Sequence, residues 1–148
     1  MANASTTGFG FRPIKKVGQT DNVGALTEYS VAASSALISH AAMVQLTADG
    51  VVLASGNTDA NNLGTLNGVF YTDADTNKPT FANFSKASNT ATDIVAFVND
   101  DPRQVYEIMS ADTAFNQNEV GGCADQVVAV GVTPLFISKS KISATTGA

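Results

Sequence analysis

Apolar positions along this chain fall in short runs separated by turn-forming residues. The runs at 93–98 (DIVAFV) and 104–109 (QVYEIM) are rich in β-branched and aromatic residues and predict strands. Between them, Asn99, Asp100, Asp101, Pro102 and Arg103 form a turn cluster in which the proline fixes φ and the Asx side chains bond back to the backbone. Residues 93–110 are therefore expected to form a hairpin. Asp49-Gly50, between MVQL (43–46) and VVLA (51–54), is a two-residue hairpin signal. Asn67-Gly68, just ahead of VFY (69–71), marks another turn, and QVVAV (126–130) and LFI (135–137) complete the set. The stretch 32–43 is ambiguous, because its alanines favour a helix while 28–31 alternates like a strand and no glycine closes a helix. Strand–turn–strand is the expectation there. Residues 112–119 suit one helical turn closed by Gly121-Gly122.

Short strands with turns between them predict a mainly β fold, a small β-barrel or β-sandwich. At 148 residues one core is the usual outcome, and 44% hydrophobic residues suffice to close it. The expected organisation is an extended N-terminal arm over 1–24, a β-rich domain over 25–137 and a C-terminal tail over 138–148. The arm contains GFGFRPIKK (8–16), in which nothing reads as a strand with a partner or as a capped helix. Pro13 biases Arg12 towards extended backbone, and Phe9 and Phe11 are apolar anchors beside the positive charges of Arg12, Lys15 and Lys16.

Charge changes the picture in two ways. Only 14% of residues are charged, against a usual ~25%, a surface suited to packing against other proteins, although many β-rich monomers share it. The charges are also segregated. Residues 1–20 carry three bases and no acid, and residues 126–148 carry Lys139 and Lys141 and no acid. All thirteen acids lie in 21–125 against Lys78, Lys86 and Arg103, which leaves −10. Such asymmetry fits ends and body that face different partners, or tails that fold back on their own acidic body. It argues against a nucleic-acid-binding body, which needs clustered Lys and Arg.

Catalytic and metal chemistry finds little to use. Cys123 is the only cysteine, so no intramolecular disulfide and no Cys-based metal site is expected. Asp73-Ala74-Asp75-Thr76-Asn77 begins like a calcium loop and then fails, with Lys78 where the turn needs Gly and Phe84 where the bidentate Glu belongs. A solvated Asx-rich loop is the better account. Asp100-Asp101 could pair for acid–base work, but adjacent residues in a turn point apart. His40 is the only histidine, and nothing in the sequence places it beside Cys123. Gly8-Phe9-Gly10 lacks the spacing and helix of a phosphate loop. Phe70, Tyr71, Phe81, Phe84, Phe97 and Tyr106 read as core and interface, because no bases interleave them as in a base-stacking platform. The expectation is a protein that is not an enzyme and uses no cofactor or metal. No secretory signal is visible and no run approaches the ~18–20 apolar residues of a membrane span, so synthesis in a cytoplasm and no membrane partner are expected.

Five fragments in order resemble a known family: GFGFRPIKKVG (8–18), LTEYS (26–30), LNGVFYTD (66–73), KPTFANF (78–84) and ATDIVAFVNDDP (91–102). Together they are similar to the small head-decoration, or cement, proteins of marine tailed bacteriophages, over about residues 1–125. The chain departs from that pattern at HAAM (40–43), where a Gly-Asp-like turn is expected. The resemblance implies a non-enzymatic β-rich virion protein on the outer surface of an icosahedral head. Its partners would be the major capsid protein and neighbouring copies of itself, as a homo-oligomer, a trimer ahead of a dimer. On that basis Phe9, Phe11, Arg12, Pro13, Lys15 and Lys16 are the expected partner-binding residues, with Arg12 able to hold a carboxylate bidentately. A phage tail or neck component, or a surface adhesin, is the alternative, separated from the first by copy number.

Overall fold

The computed structural model describes residues 7–18, 26–50, 52–57, 61–111 and 115–143. Among these residues ten strands run in chain order: β1 Arg12–Lys16, β2 Thr27–Ser30, β3 Met43–Leu46, β4 Val52–Ala54, β5 Asn62–Thr72, β6 Pro79–Ala82, β7 Val95–Asn99, β8 Gln104–Glu107, β9 Gln126–Val127 and β10 Lys141–Ile142. One 3-10 turn, Gln117–Glu119, is the only helical element among the described residues, and it falls inside the expected 112–119 turn. The protein is mainly β, as its short apolar runs predict.

Six strands form one antiparallel sheet in the order β2-β7-β5-β3-β4, and β6 adds to the far half of β5. The sheet curls into a half-barrel. β5 is its spine. One edge pairs with β7 from Thr65 to Phe70, while the other pairs first with β3 and then with β6. Inside lie Val31, Ile38, Val44, Val52, Leu66, Val69, Tyr71, Ile94, Ala96 and Val98. In β7 the two-residue period of a strand sends Ala96 and Val98 into this core and leaves Val95 and Phe97 on the less buried side.

The predicted hairpin at 93–110 does not form. Both edges of β7 are already taken, by β2 and β5, so β8 pairs with β1 instead. Of the turn's expected Asx bonds to backbone, only that of Asp101 forms. Asp101 accepts a hydrogen bond from the Arg103 amide, while Asp100 turns to Tyr29 and Thr27, so the two carboxylates do point apart. At 49–50 a hairpin forms between β3 and β4, with a loop of five residues rather than two. Residues 32–42 form no helix. Single bridges hold Ile38 to Ser85 and His40 to Ile137, with left-handed backbone at Ser34 and Ala41.

Asn67-Gly68 is not a turn either. It lies within β5 at a bulge, where Leu66 opposes Val98 and Gly68 opposes Phe97, leaving Asn67 without a partner on β7. Gly68 fits a tight space: a Cβ there would lie 2.8 Å from the tip of the exposed Phe81 ring and 3.0 Å from the Ala82 carbonyl oxygen. Towards the C-terminus only Gln126–Val127 of the predicted 126–130 strand is paired, and its partner is β10 in the supposed tail. Ser138 and Ser140 are buried, so residues 138–143 belong to the packed domain. The expected Asx loop is present: Asp73 accepts from the amides of Asp75 and Thr76, and these bonds with the Thr76 hydroxyl hold its carboxyl below the usual carboxylate range.

Candidate interaction site

The leader that begins at Gly8 is built into the domain, and its two glycines decide how. The Gly8 and Gly10 backbones pass so close to the domain that a Cβ would lie 2.2 Å from the Lys139 oxygen in one case and 2.4 Å from the Ala41 oxygen in the other. Gly10 also has a positive φ of 75°, which other residues adopt at a cost. This close approach lets the Phe11 amide donate to the Ala41 carbonyl at 2.9 Å and turns the Phe11 ring inward, edge-on to Tyr106 at 6.2 Å. β1 then follows β8, with its register shifting between Pro13 and Lys15 beside a proline that has no amide to give.

Two of the six expected partner-binding residues are consequently spent inside the chain. Phe11 is buried. Lys16 is buried as well, with its ammonium 2.7 Å from Asp101. That contact and the Arg103 amide hold the Asp101 carboxyl below the usual carboxylate range. For these residues the basic segment folds back on the acidic body. Lys15 is exposed, with its carbonyl accepting from Gln104. Phe9, Arg12 and Pro13 are brought together on the wall of one cavity of about 500 Å³.

That cavity lies between the leader, residues 40–41, the bulge of β5, the end of β7 and β8, and Leu26 and Ile137 close its apolar wall. Arg12 and Glu107 stand at its rim, 3.7 Å apart and largely exposed. His40 lines it with Nδ1 3.0 Å from the carbonyl oxygen of Asn67, the residue the bulge releases from the ladder. Asn99 also lines it. Tyr106 donates to the Asn99 backbone carbonyl, and burial raises the Tyr106 phenol above its ordinary value. A second hollow of about 300 Å³ shares Phe9 and Ile137 with the first and continues over Val132, Pro134 and Leu135.

The surface around these hollows is mostly apolar, with Lys139 in the wall of the second and Arg12 and Glu107 at the rim of the first. Val130, Val132 and Leu135 are more than half exposed, and Phe9, Leu26, Val127 and Ile137 more than a third. Residues 126–138 contain no charged side chain. This stretch is anchored rather than loose: Gly131 donates to Ser39, Ser138 to the His40 carbonyl and Lys139 to the Ala129 carbonyl, while Phe136 packs on Phe84 with centroids 4.3 Å apart. The sequence carried this signal in its charge-free, valine-rich run, which reads equally as buried strand. His40, Asn99 and Leu26 gave no such signal, because only the tertiary fold gathers them.

Other candidate chemistry stays dispersed. Cys123 is exposed in the loop after the 3-10 turn, and the ring of His40 is held by a backbone carbonyl. Among the described residues no group of three or more His, Cys, Asp or Glu is placed to hold a metal ion, and no helix is long and apolar enough to cross a membrane. No family model matches the chain, and comparison with curated proteins and with solved structures returns no match either.

Proposed function

We propose that the protein is a virion structural protein that decorates the outer surface of a tailed-phage head, binding the major capsid protein and neighbouring copies of itself. The observation that carries this is the anchored, charge-free apolar surface formed by residues 130–137 with Phe9. Contiguous exposed apolar surface on a small folded domain marks a contact face, and interface cores are depleted of charge in the same way. The ordered fragments shared with the head-decoration family supply the identity of the partner. A protein repeated over a symmetric head needs only modest affinity per site, because many copies act together. Filled heads are under outward pressure, and a clamp across capsid subunits resists it. No chemistry beyond binding is required, so the protein acts without a cofactor. The acidic body, turned to solvent, keeps particles apart.

The folded leader moves the proposed contact. Phe9 and Arg12 act from a surface already fixed in the domain, together with Val132 and Leu135, instead of from a free arm. A cryo-electron-microscopy map of the particle that contains this chain tests the proposal. Density for hundreds of copies outside the head, with residues 130–137 facing the capsid, is the expected result. A handful or a few dozen copies at the tail, neck or vertex would replace it with the tail-component reading.

A further inference from the structure

The edges of the six-stranded sheet differ in how they are protected. At the β4 end Val52 is fully buried, and β6 starts with Pro79, which has no amide to offer. β2 has neither protection. It pairs with β7 alone, and Thr27, Glu28 and Ser30 are exposed. The register fixes which of its backbone groups are free. The Val31 amide donates to the Ile94 carbonyl at 3.0 Å, and the pairing continues from there without a shift, with Ser30 opposite Val95 and Thr27 opposite Val98. Hydrogen-bonded and non-bonded pairs alternate along an antiparallel ladder, so Thr27, Tyr29 and Val31 turn their amides and carbonyls to β7. Glu28 and Ser30 turn theirs outward, where they have no hydrogen-bond partner among the described residues. The strand is also held firmly in place. The Thr27 hydroxyl and the Tyr29 phenol both donate to Asp100, at 2.9 and 2.7 Å. An exposed, fixed row of unpaired backbone groups is a template for another strand.

The two free residues of this edge are complementary to each other. Laid antiparallel on a second copy about a two-fold axis at Tyr29, β2 sets Glu28 opposite Ser30 of that copy, and Ser30 opposite its Glu28. Both pairs then take hydrogen-bonded positions, so every free amide and carbonyl of the two residues gains a partner. Glu28 and Ser30 lie on the same face of the strand, beside Phe97 and Val95, so each Glu28 carboxylate meets a hydroxyl donor across the strands. Glu28 does not stand opposite Glu28, the like-charge pairing that costs stability. We propose that β2 is the contact between neighbouring copies: two chains pair edge to edge through Glu28 and Ser30 and join their sheets into one. That neighbouring copies meet rests on the proposed structural role, and the choice of edge rests on the backbone groups left free. The contact is two-fold, so it gives a dimer where the resemblance places a trimer first. It uses none of residues 130–137. A strand of four residues makes a weak contact on its own, which becomes firm where many copies sit side by side.

The test follows amide hydrogen exchange of the full chain by NMR, in dilute solution and at millimolar concentration. The Glu28 and Ser30 amides are expected to exchange freely when dilute and to become protected when concentrated. The Thr27 and Tyr29 amides, bonded to β7, are expected to stay protected at both concentrations. Ser30→Pro removes an outward amide and leaves the ladder to β7 intact, so it is expected to fold and to sediment as a monomer where the native chain dimerises. If Ser30→Pro does not fold, the exchange pattern of the native chain still decides. Exchange at Glu28 and Ser30 that does not change with concentration would overturn the proposal. So would concentration-dependent protection at another surface in their place, or undiminished dimer in a folded Ser30→Pro chain. Protection of these two amides only when the major capsid protein is added would assign the edge to the capsid and overturn it as well. Cosedimentation with heads reads the structural role separately. A chain that dimerises through β2 and does not coat heads loses that role alone. A chain that coats heads while its Glu28 and Ser30 amides still exchange loses this contact alone.

Discussion

Replacing Gly10 by alanine isolates the contact that ties the leader to the domain. Gly10 has φ of +75°, and a Cβ on it would lie 2.4 Å from the Ala41 carbonyl oxygen and 2.8 Å from Ser138 Cβ. Neither neighbour is the tip of a flexible side chain, so the leader itself must move. Gly18 is the matched control, with φ of +83° and nothing within 4 Å of the added atom. Left-handed backbone costs a non-glycine residue about 1 kcal/mol, and both variants bear that cost. Only Gly10→Ala also loses the Phe11 amide bond to Ala41, about 1 kcal/mol, and part of the roughly 1.5–3 kcal/mol that burying the Phe11 ring contributes. Gly18→Ala is therefore expected to cost about 1 kcal/mol and Gly10→Ala about 3–5 kcal/mol. Urea unfolding followed by circular dichroism measures both, with tyrosine fluorescence as a second probe in a chain that has no tryptophan. Equal costs for the two variants would refute the close approach, and with it the claim that the leader is part of the fold.

Three further outcomes are expected. Lys16→Met should lower the urea midpoint at pH 7 by removing the partner that depresses the Asp101 carboxyl. A depressed carboxyl stabilises the fold above its ordinary value near ~3.9 and loses that contribution as pH falls through the lower folded value, so the gap between wild type and variant should close in acid; a gap independent of pH would exclude the linkage. Gly68→Ala should cost about 1–3 kcal/mol by overpacking against Phe81 and the Ala82 carbonyl, and less in a Phe81→Ala background, because the exposed ring is the movable part of the clash. A double-mutant cycle with zero coupling would contradict that geometry. Val132→Asp combined with Leu135→Asp should change stability by about 0.5 kcal/mol or less each, since both side chains are mostly exposed, yet abolish cosedimentation with phage heads; retained binding would exclude this surface as the contact.

Much of the fold was legible in the residues themselves, and the errors share one cause. Short β-branched runs place β3, β4, β7 and β8 within a residue or two of where they lie. What local pattern does not contain is the choice of neighbour. The 93–98 and 104–109 runs look like a hairpin because a good turn joins them, but β2 and β5 claim both edges of β7. β8 is then free to take β1, a segment whose glycines, proline and paired lysines give weak strand propensity alone. Tertiary pairing overrides propensity there because Phe11 is buried and Lys16 meets Asp101 across the same ribbon. The charge segregation held this information in coarse form: tails folding back on an acidic body is what Lys16 and Arg12 do. The docking of Phe9, Arg12 and Pro13 on one cavity wall was half legible, since the leader was singled out while the rest of the wall was not.

Asn67-Gly68 carries the most instructive of these differences, because the misread signal and the candidate site have the same origin. An Asn-Gly pair favours a tight turn only where the chain is free to reverse. Here residues 62–72 are bound on one side by β7 and on the other by β3 and β6, so a reversal at 67–68 would break three pairings. The bulge is the compromise that keeps all three, and it has two consequences on opposite sides of the strand. Gly68, lacking a Cβ, admits Phe81 and the Ala82 carbonyl and so lets β6 close on β5. Asn67, released from β7, offers its carbonyl to His40 and fixes the ring on the cavity wall, where residues 41–42 already hold Leu66 through paired backbone bonds. A turn signal caught in a strand thus becomes a device for setting one side chain. Straightening β5 would leave the apolar surface of residues 130–137 in place and take from the His40 ring the carbonyl that holds it on the cavity wall.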